Sequence, residues 1–147
     1  MQLNKFTDYA LRILMYVALE RDQPYTIVEL ADCLAISEHH AKKIVHFMAK
    51  HHWIVTSRGK GGGIRLAKQS LSLPLGQIVQ LLEGQPAIVE CQHPPCILRH
   101  HCGLKILLDQ ALNQFYQVLN KHTLADVLPA SRQVNLKSSA IDLLNIT

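Results

Sequence analysis

Trp53-Ile54-Val55-Thr56-Ser57-Arg58-Gly59-Lys60-Gly61-Gly62-Gly63-Ile64-Arg65-Leu66 is the stretch that decides the fold. Two short β-prone runs lie on either side of a glycine-rich turn, which predicts a β-hairpin. Arg58 and Lys60 stand among glycines, whose missing side chains allow close backbone approach to a groove of DNA. A phosphate loop for a nucleotide is the competing interpretation, and it is disfavoured because the turn lacks a Walker pattern and opens no helix.

Three helices are predicted before this hairpin. The first covers Thr7 to Leu19 with Thr7 as its N-cap, the second is capped by Thr26, and the third runs from a Ser37 cap to about His51. The second helix, a brief turn and the third helix have the proportions of a helix-turn-helix. Three helices followed by a hairpin predict a winged helix.

The third helix separates into two faces at helical spacing. One face is apolar and is expected to pack on the other helices: Ala41, Ile44, Val45 and Met48. The opposite face is basic: His39, Lys42, Lys43, His46 and Lys50. An ordinary solvated face is the alternative, but the basic wing beside it favours a recognition helix that binds double-stranded DNA.

Charge and composition agree with a DNA-binding protein. The 147-residue chain has a net charge of +4, and no Asp or Glu occurs from His39 to Leu82, which indicates a polyanionic partner. No apolar run is long enough for a signal peptide or a membrane span, so a cytoplasmic protein is expected. No nucleophile–base pair is apparent, so an enzyme is not expected.

Cys91, Cys96 and Cys102 form a Cys-x4-Cys-x5-Cys loop. Cytosolic thiols stay reduced, so clustered cysteines indicate metal or redox chemistry. The spacing departs from paired zinc ligands and suits an iron–sulfur cluster, which usually takes four ligands. Candidates for the fourth ligand are His93, His100, His101 and a carboxylate such as Asp8. A Cys3His zinc site and a thiol–disulfide switch remain alternatives, and Cys33 is predicted to be a small buried hydrophobe.

The predicted fold class is mostly α, with a winged helix-turn-helix domain, a cysteine-containing cofactor loop and a long dimerisation helix. The winged helix is assigned to residues 1–83, with Pro74 at N1 of a short helix, and the cluster-binding loop to residues 84–103. The long helix, from Leu104 to about His122, and a C-terminal turn occupy residues 104–128. The tail, residues 129–147, is either a short docking helix or a frayed segment.

Four stretches of this chain resemble one family: Met1-Gln2-Leu3 with Phe6-Thr7-Asp8-Tyr9-Ala10-Leu11-Arg12, the wing, the three cysteines, and His122-Thr123-Leu124-Ala125-Asp126-Val127-Leu128. The family is that of the winged-helix iron–sulfur regulators that include IscR, and the resemblance is to its nitric-oxide-responsive NsrR branch. It covers roughly residues 1 to 128. The Asp8 opening and the cysteine spacing are its more specific marks.

The resemblance implies a homodimer on a palindromic operator, with the long helices crossing at the interface. It implies a cluster, [4Fe–4S] in preference to [2Fe–2S], held by the three cysteines and by Asp8 of the partner subunit. In the IscR branch a histidine soon after the third cysteine completes the site, whereas Lys105 and Ile106 occupy those positions here. The DNA contacts that the resemblance implies are Ser37, His39, His40, Lys42, Lys43 and Arg58. The wing sequence adds Lys60 to them.

These observations favour a cluster-dependent transcriptional repressor that releases DNA when nitric oxide damages the cluster. An IscR-type regulator that senses cluster or iron status is the alternative within the same class. A zinc-stabilised DNA-binding regulator is the other alternative.

Overall fold

A computed structural model describes residues 2–84 and 87–129, so the predicted tail lies outside the described residues from residue 130 onward. The helices are α1 (Lys5–Val17), α2 (Ile27–Leu34), α3 (Glu38–Lys50), α4 (Leu75–Glu83) and α5 (Gly103–Leu119). The strands are β1 (Ile54–Ser57) and β2 (Gly63–Leu66), and short 3-10 helices cover Lys68–Ser72 and Ala125–Val127. No helix in the described part of the chain is both long and apolar enough to span a membrane.

Helix α1 begins earlier than predicted. Asn4, not Thr7, is its N-cap, because the Asn4 side chain accepts a hydrogen bond from Thr7 N at 2.8 Å. The backbone N–H of Asn4 is also held by Glu83 Oε1 at 3.0 Å, which ties the start of α1 to the end of α4. Thr7 is buried inside the first turn. Tertiary contacts with α4 therefore decide between two residues that are both good caps.

The caps of α2 and α3 are confirmed. Thr26 Oγ1 accepts a hydrogen bond from Glu29 N at 3.2 Å, and Ser37 Oγ accepts one from His40 N at 3.2 Å. These bonds satisfy N–H groups that lack partners within the helix. The hydrophobic core between the elements contains buried side chains from α1 to α4 and from the hairpin: Ile13, Leu14, Leu30, Ile44, Met48, Ile54, Ile64 and Ile78.

The hairpin is antiparallel, with Ile54 opposite Leu66 and Ser57 opposite Gly63. Tyr25, in the segment before α2, adds a bridge to it. Tyr25 N donates to Ile64 O at 2.9 Å, and Ile64 N donates to Tyr25 O at 2.8 Å. Helices α1 to α3 and this bridged hairpin confirm the predicted winged helix.

Helices α4 and α5 approach each other closely at Gly76. A Cβ atom added there would lie 2.4 Å from Tyr116 O and from Asn120 Oδ1, so only glycine fits. Pro74 precedes α4 as its N-cap and is not at N1, which corrects the prediction. Helix α5 ends at Leu119 and not near His122, because the chain turns there to pair with α4: Leu75 N donates to His122 O at 2.9 Å.

Candidate nucleic-acid interface and cysteine loop

The turn between α2 and α3 is tight. Ala35 has a left-handed backbone with φ of 51°, and its N–H donates to Asp32 O at 3.2 Å. Ile36 N donates to Ala31 O at 3.0 Å, so the end of α2 is closed by backbone bonds. Ser37 then starts α3. This geometry is that of a helix-turn-helix, with α3 in the position of the recognition helix.

Helix α3 presents the two faces that its sequence predicts. Its buried residues are Ala41, Ile44, Val45 and Met48. Its exposed residues include His39, His40, Lys42, Lys43, His46 and Lys50. The His40 ring lies 6.3 Å from the Tyr9 ring of α1. Lys42 Nζ lies 3.1 Å from Glu38 Oε2, one turn earlier on the same helix.

The wing loop between the strands exposes Arg58 and Lys60. Gly59 and Gly61 adopt φ values of 95° and 80°, which favour glycine. A Cβ atom on Gly62 would lie 2.5 Å from Ser57 O, so the turn closes only around a residue without a side chain. The two basic residues thus stand on a turn whose shape its glycines fix.

Two arginines, Arg21 and Arg65, hold the base of the hairpin, and neither was predicted to have a structural role. Arg65 donates to Arg21 O at 3.3 Å and to Asp22 O, so its guanidinium faces the loop after α1. Arg21 forms a two-bond ion pair with Glu29, and its guanidinium lies 3.6 Å from the Tyr25 ring centroid. The Glu29 hydrogen bond raises the pKa of Arg21 above its ordinary value. Arg21 and Glu29 are eight residues apart and separated by a loop, so no helical or strand spacing in the sequence predicts this ion pair.

Cys33 is exposed, which corrects the prediction of a buried hydrophobe. Its Sγ lies 3.3 Å from the Tyr16 hydroxyl oxygen. Burial of the phenol, followed by the hydrogen bond with Cys33, raises the pKa of Tyr16 above its ordinary value. The thiol lies on the rim of the core because α2 buries Leu30 and Ala31 toward it instead.

The three loop cysteines are free thiols of intermediate burial. Cys96 N donates to Cys91 O at 3.1 Å, which closes a turn between the first two cysteines. Cys102 is the N-cap of α5, at the helix end that favours negative charge. The Asp109 hydrogen bond mainly raises the pKa of Lys105, and the Cys91 and Cys102 thiols add smaller contributions.

Within residues 2–84 and 87–129, no three His, Cys, Asp or Glu side chains are grouped closely enough to hold one metal ion. The ligand set of Cys91, Cys96, Cys102 and Asp8 thus stays a prediction. Asp8 instead accepts a hydrogen bond from Arg12 Nε at 2.9 Å. The alternative fourth ligands His93, His100 and His101 are all exposed, and His100 Nε2 lies 3.0 Å from Arg99 Nε.

The apolar side chains of helix α5 lie on two sides of the helix. Partly buried side chains face the rest of the chain: Leu108, Leu112, Phe115 and Leu119. Leu104, Leu107 and Val118 are each more than half exposed. With Ala111 they follow a spacing of three, four and seven residues, which is the spacing of a helix–helix seam.

The fold and the basic face define a winged-helix DNA-binding regulator. Residues 3–130 match the Rrf2 family, which is described as an iron-dependent transcriptional regulator. The chain belongs to the Rrf2 family of transcriptional regulators. The expectation of a regulator and not an enzyme is thereby confirmed.

Similar proteins include the HTH-type transcriptional regulator NsrR of Geobacillus kaustophilus, which is 41% identical over 132 residues, or 87% of this chain and 90% of that protein. NsrR of Bacillus subtilis is 36% identical over the same shares. Among solved structures, CymR, the global cysteine regulator of B. subtilis, has a TM-score of 0.69 at 23% identity and covers 86% of this chain and 95% of its own. T. potens IscR has a TM-score of 0.66 at 20% identity, over 86% and 85%. These two structures support the fold alone.

Proposed function

We propose that this regulator is an iron–sulfur-dependent repressor that binds a palindromic operator as a homodimer and releases it in response to nitric oxide. The observation that carries the proposal is the position of three free, half-buried thiols in a loop that ends at the N-cap of α5. The similarity to proteins named NsrR supports the same signal.

The donor set fits a thiolate-bound cluster. Cys91, Cys96 and Cys102 are soft sulfur ligands, and none is committed to a disulfide. The start of α5 favours the negative charge of thiolate ligands at Cys102. When bound, the cluster would supply iron that reacts with nitric oxide, and [4Fe–4S] is our choice over [2Fe–2S].

Asp8 of the partner subunit is the proposed fourth ligand. The Asp8 and Arg12 side chains are 45% and 60% exposed, so their ion pair contributes less than about 1 kcal/mol and does not prevent a ligand role. Asp8 lies on α1, which packs on α3 in the DNA-binding domain. A ligand on α1 would thereby couple the cysteine loop to the orientation of the recognition helix.

The exposed seam of α5 supports the homodimer. Burying a Leu or Val side chain stabilises a complex by about 1.5–3 kcal/mol, and a symmetric interface buries each one twice. The exposed faces of two α3 helices would then enter successive major grooves, with Arg58 and Lys60 beside them. The proposed contacts in α3 are Ser37, His39, His40, Lys42 and Lys43.

Anaerobic purification tests this proposal. We expect iron and sulfide in the protein, a visible absorption spectrum, and salt-sensitive binding of an operator duplex that nitric oxide abolishes. Serine replacements of Cys91, Cys96 or Cys102 should abolish the spectrum and the response, whereas Cys33→Ser, the matched control outside the loop, should keep both. Zinc in place of iron would indicate the zinc-stabilised regulator. Relief of binding by iron depletion at a lower dose than nitric oxide would indicate the IscR-type alternative.

A further inference from the structure

We infer that Glu38 and Lys42 together read one G·C base pair, with Glu38 on the cytosine and Lys42 on the guanine. The inference rests on the proposed binding of DNA through α3 and adds an acidic residue to its contacts. Glu38 is the first residue of α3, and Lys42 follows one turn later. The N-terminal half of a recognition helix is the part that contacts base edges.

The two side chains are exposed and joined to each other. Lys42 Nζ lies 3.1 Å from Glu38 Oε2, and the side chains are 60% and 52% exposed. The pair therefore offers a cationic donor and an anionic acceptor side by side on the face that carries His39 and Lys43. Both groups keep further hydrogen-bonding capacity, because the ammonium has three donors and the carboxylate two oxygens.

Stabilisation of the helix does not fully explain Glu38. A capping box would need the acid at the third helical position, which is His40. The helix dipole and the ion pair with Lys42 are each worth only a few tenths to about 1 kcal/mol. Glu38 is also the last acidic residue before Glu83 in the sequence, so its charge opposes phosphate binding in an otherwise basic segment.

A G·C pair presents the complementary pattern in the major groove. Cytosine N4 is a donor and guanine O6 an acceptor, and as Watson–Crick partners they lie roughly 2.9 Å apart. That spacing matches the 3.1 Å between Lys42 Nζ and Glu38 Oε2. Glu38 accepts from N4, while Lys42 donates to O6 and to the neighbouring N7. An A·T pair also offers a donor and an acceptor. Beside the thymine O4 acceptor, however, lies a methyl group, whereas beside guanine O6 lies a second acceptor, N7, for the Lys42 ammonium.

Selection of binding sites from randomised duplexes, followed by affinity measurements on single base-pair substitutions, tests the inference. The wild-type protein should prefer G·C in one orientation at one position of each half-site by about 5- to 150-fold, the range expected for a good base contact. Glu38→Ala should lose the preference at that position alone. Glu38→Gln should shift it toward adenine, which pairs well with an amide.

Asp32→Ala is the charge-matched control, because it removes an exposed carboxylate from α2 of the same domain and should keep every base preference. Uniformly tighter binding by Glu38→Ala, with all base preferences intact, would overturn the inference and leave Glu38 as a charge alone. A wild-type protein that binds no duplex would overturn the proposed function and this inference with it.

Discussion

Arg12 Nε donates to the Asp8 carboxylate at 2.9 Å across one turn of α1, so the proposed fourth ligand already has a partner within its own helix. Both side chains are exposed, so their ion pair is weak. If Asp8 binds the cluster, it loses only this contact with Arg12. Asp8→Ala is therefore expected to lower iron retention or the nitric-oxide response, whereas Arg12→Ala should keep the cluster. Iron and sulfide analysis with absorption spectra measures both. Unchanged spectra and response in Asp8→Ala would remove Asp8 from the ligand set.

Arg58, on the turn of the hairpin, and Arg65, on its second strand, should respond differently to replacement by alanine. Arg58 is exposed on the turn, so Arg58→Ala should weaken binding to all duplexes and reduce the salt slope by about 1 if it contacts a phosphate. Arg65 donates to backbone oxygens of Arg21 and Asp22, so Arg65→Ala should lower the free energy of unfolding and leave the salt slope unchanged. Binding titrations at several salt concentrations separate the two. Equal slopes in wild type and Arg58→Ala would exclude a phosphate contact.

The exposed seam of α5 predicts how assembly fails. Leu107→Glu places a charge in the seam of both subunits, and the dimer should weaken by at least about 100-fold, because two buried leucines are lost. Asn113→Glu, on an exposed polar position of the same helix, is the matched control and should assemble normally. Sedimentation velocity over a range of concentrations measures the effect. A Leu107→Glu protein that stays dimeric would place the interface elsewhere.

The crossing of α4 and α5 predicts a strong effect of a single methyl group. Gly76→Ala puts a Cβ atom against the backbone oxygen of Tyr116, which cannot rotate away, so a loss of about 1–3 kcal/mol in the free energy of unfolding is expected. A Cβ atom on Gly103 meets nothing within 4 Å, so Gly103→Ala should change stability by less than about 0.5 kcal/mol. Urea titrations compare the two variants. Equal stabilities of the Gly76→Ala and Gly103→Ala proteins would mean that α4 and α5 can move apart with no loss in the free energy of unfolding.

The winged helix was predictable because its signals are local. Thr26 and Ser37 bond to N–H groups three residues away, and the hairpin depends on a turn that contains its own glycines. The face of α3 followed from helical spacing for the same reason. The absence of acidic residues from His39 to Leu82 then indicated a polyanionic partner, and this feature can be read from the sequence without knowing the fold.

The misassigned features depend on contacts between distant parts of the chain. The start of α1 was misplaced because Glu83, far away in sequence, holds Asn4. Cys33 was misplaced because tertiary packing, and not the neighbouring residues in the sequence, decides which side of α2 is buried and which lies near Tyr16. The long helix was predicted, but which of its leucines face their own chain depends on how α5 crosses α4 at Gly76. The proposed ligand set draws on two subunits, so a single chain does not bring its members together.

Cys102 is at once the last sulfur of the loop and the residue on which α5 begins, and the far end of that helix is fastened by His122 to Leu75 and by Leu124 to Leu73. Leu73 lies only a short 3-10 turn beyond the second strand of the hairpin. Helix α5 therefore joins the cysteine loop at its first residue to the segment behind the hairpin at its last. If DNA binds as proposed, a change at the thiols has a short route to the wing, through one helix and the two backbone hydrogen bonds behind it.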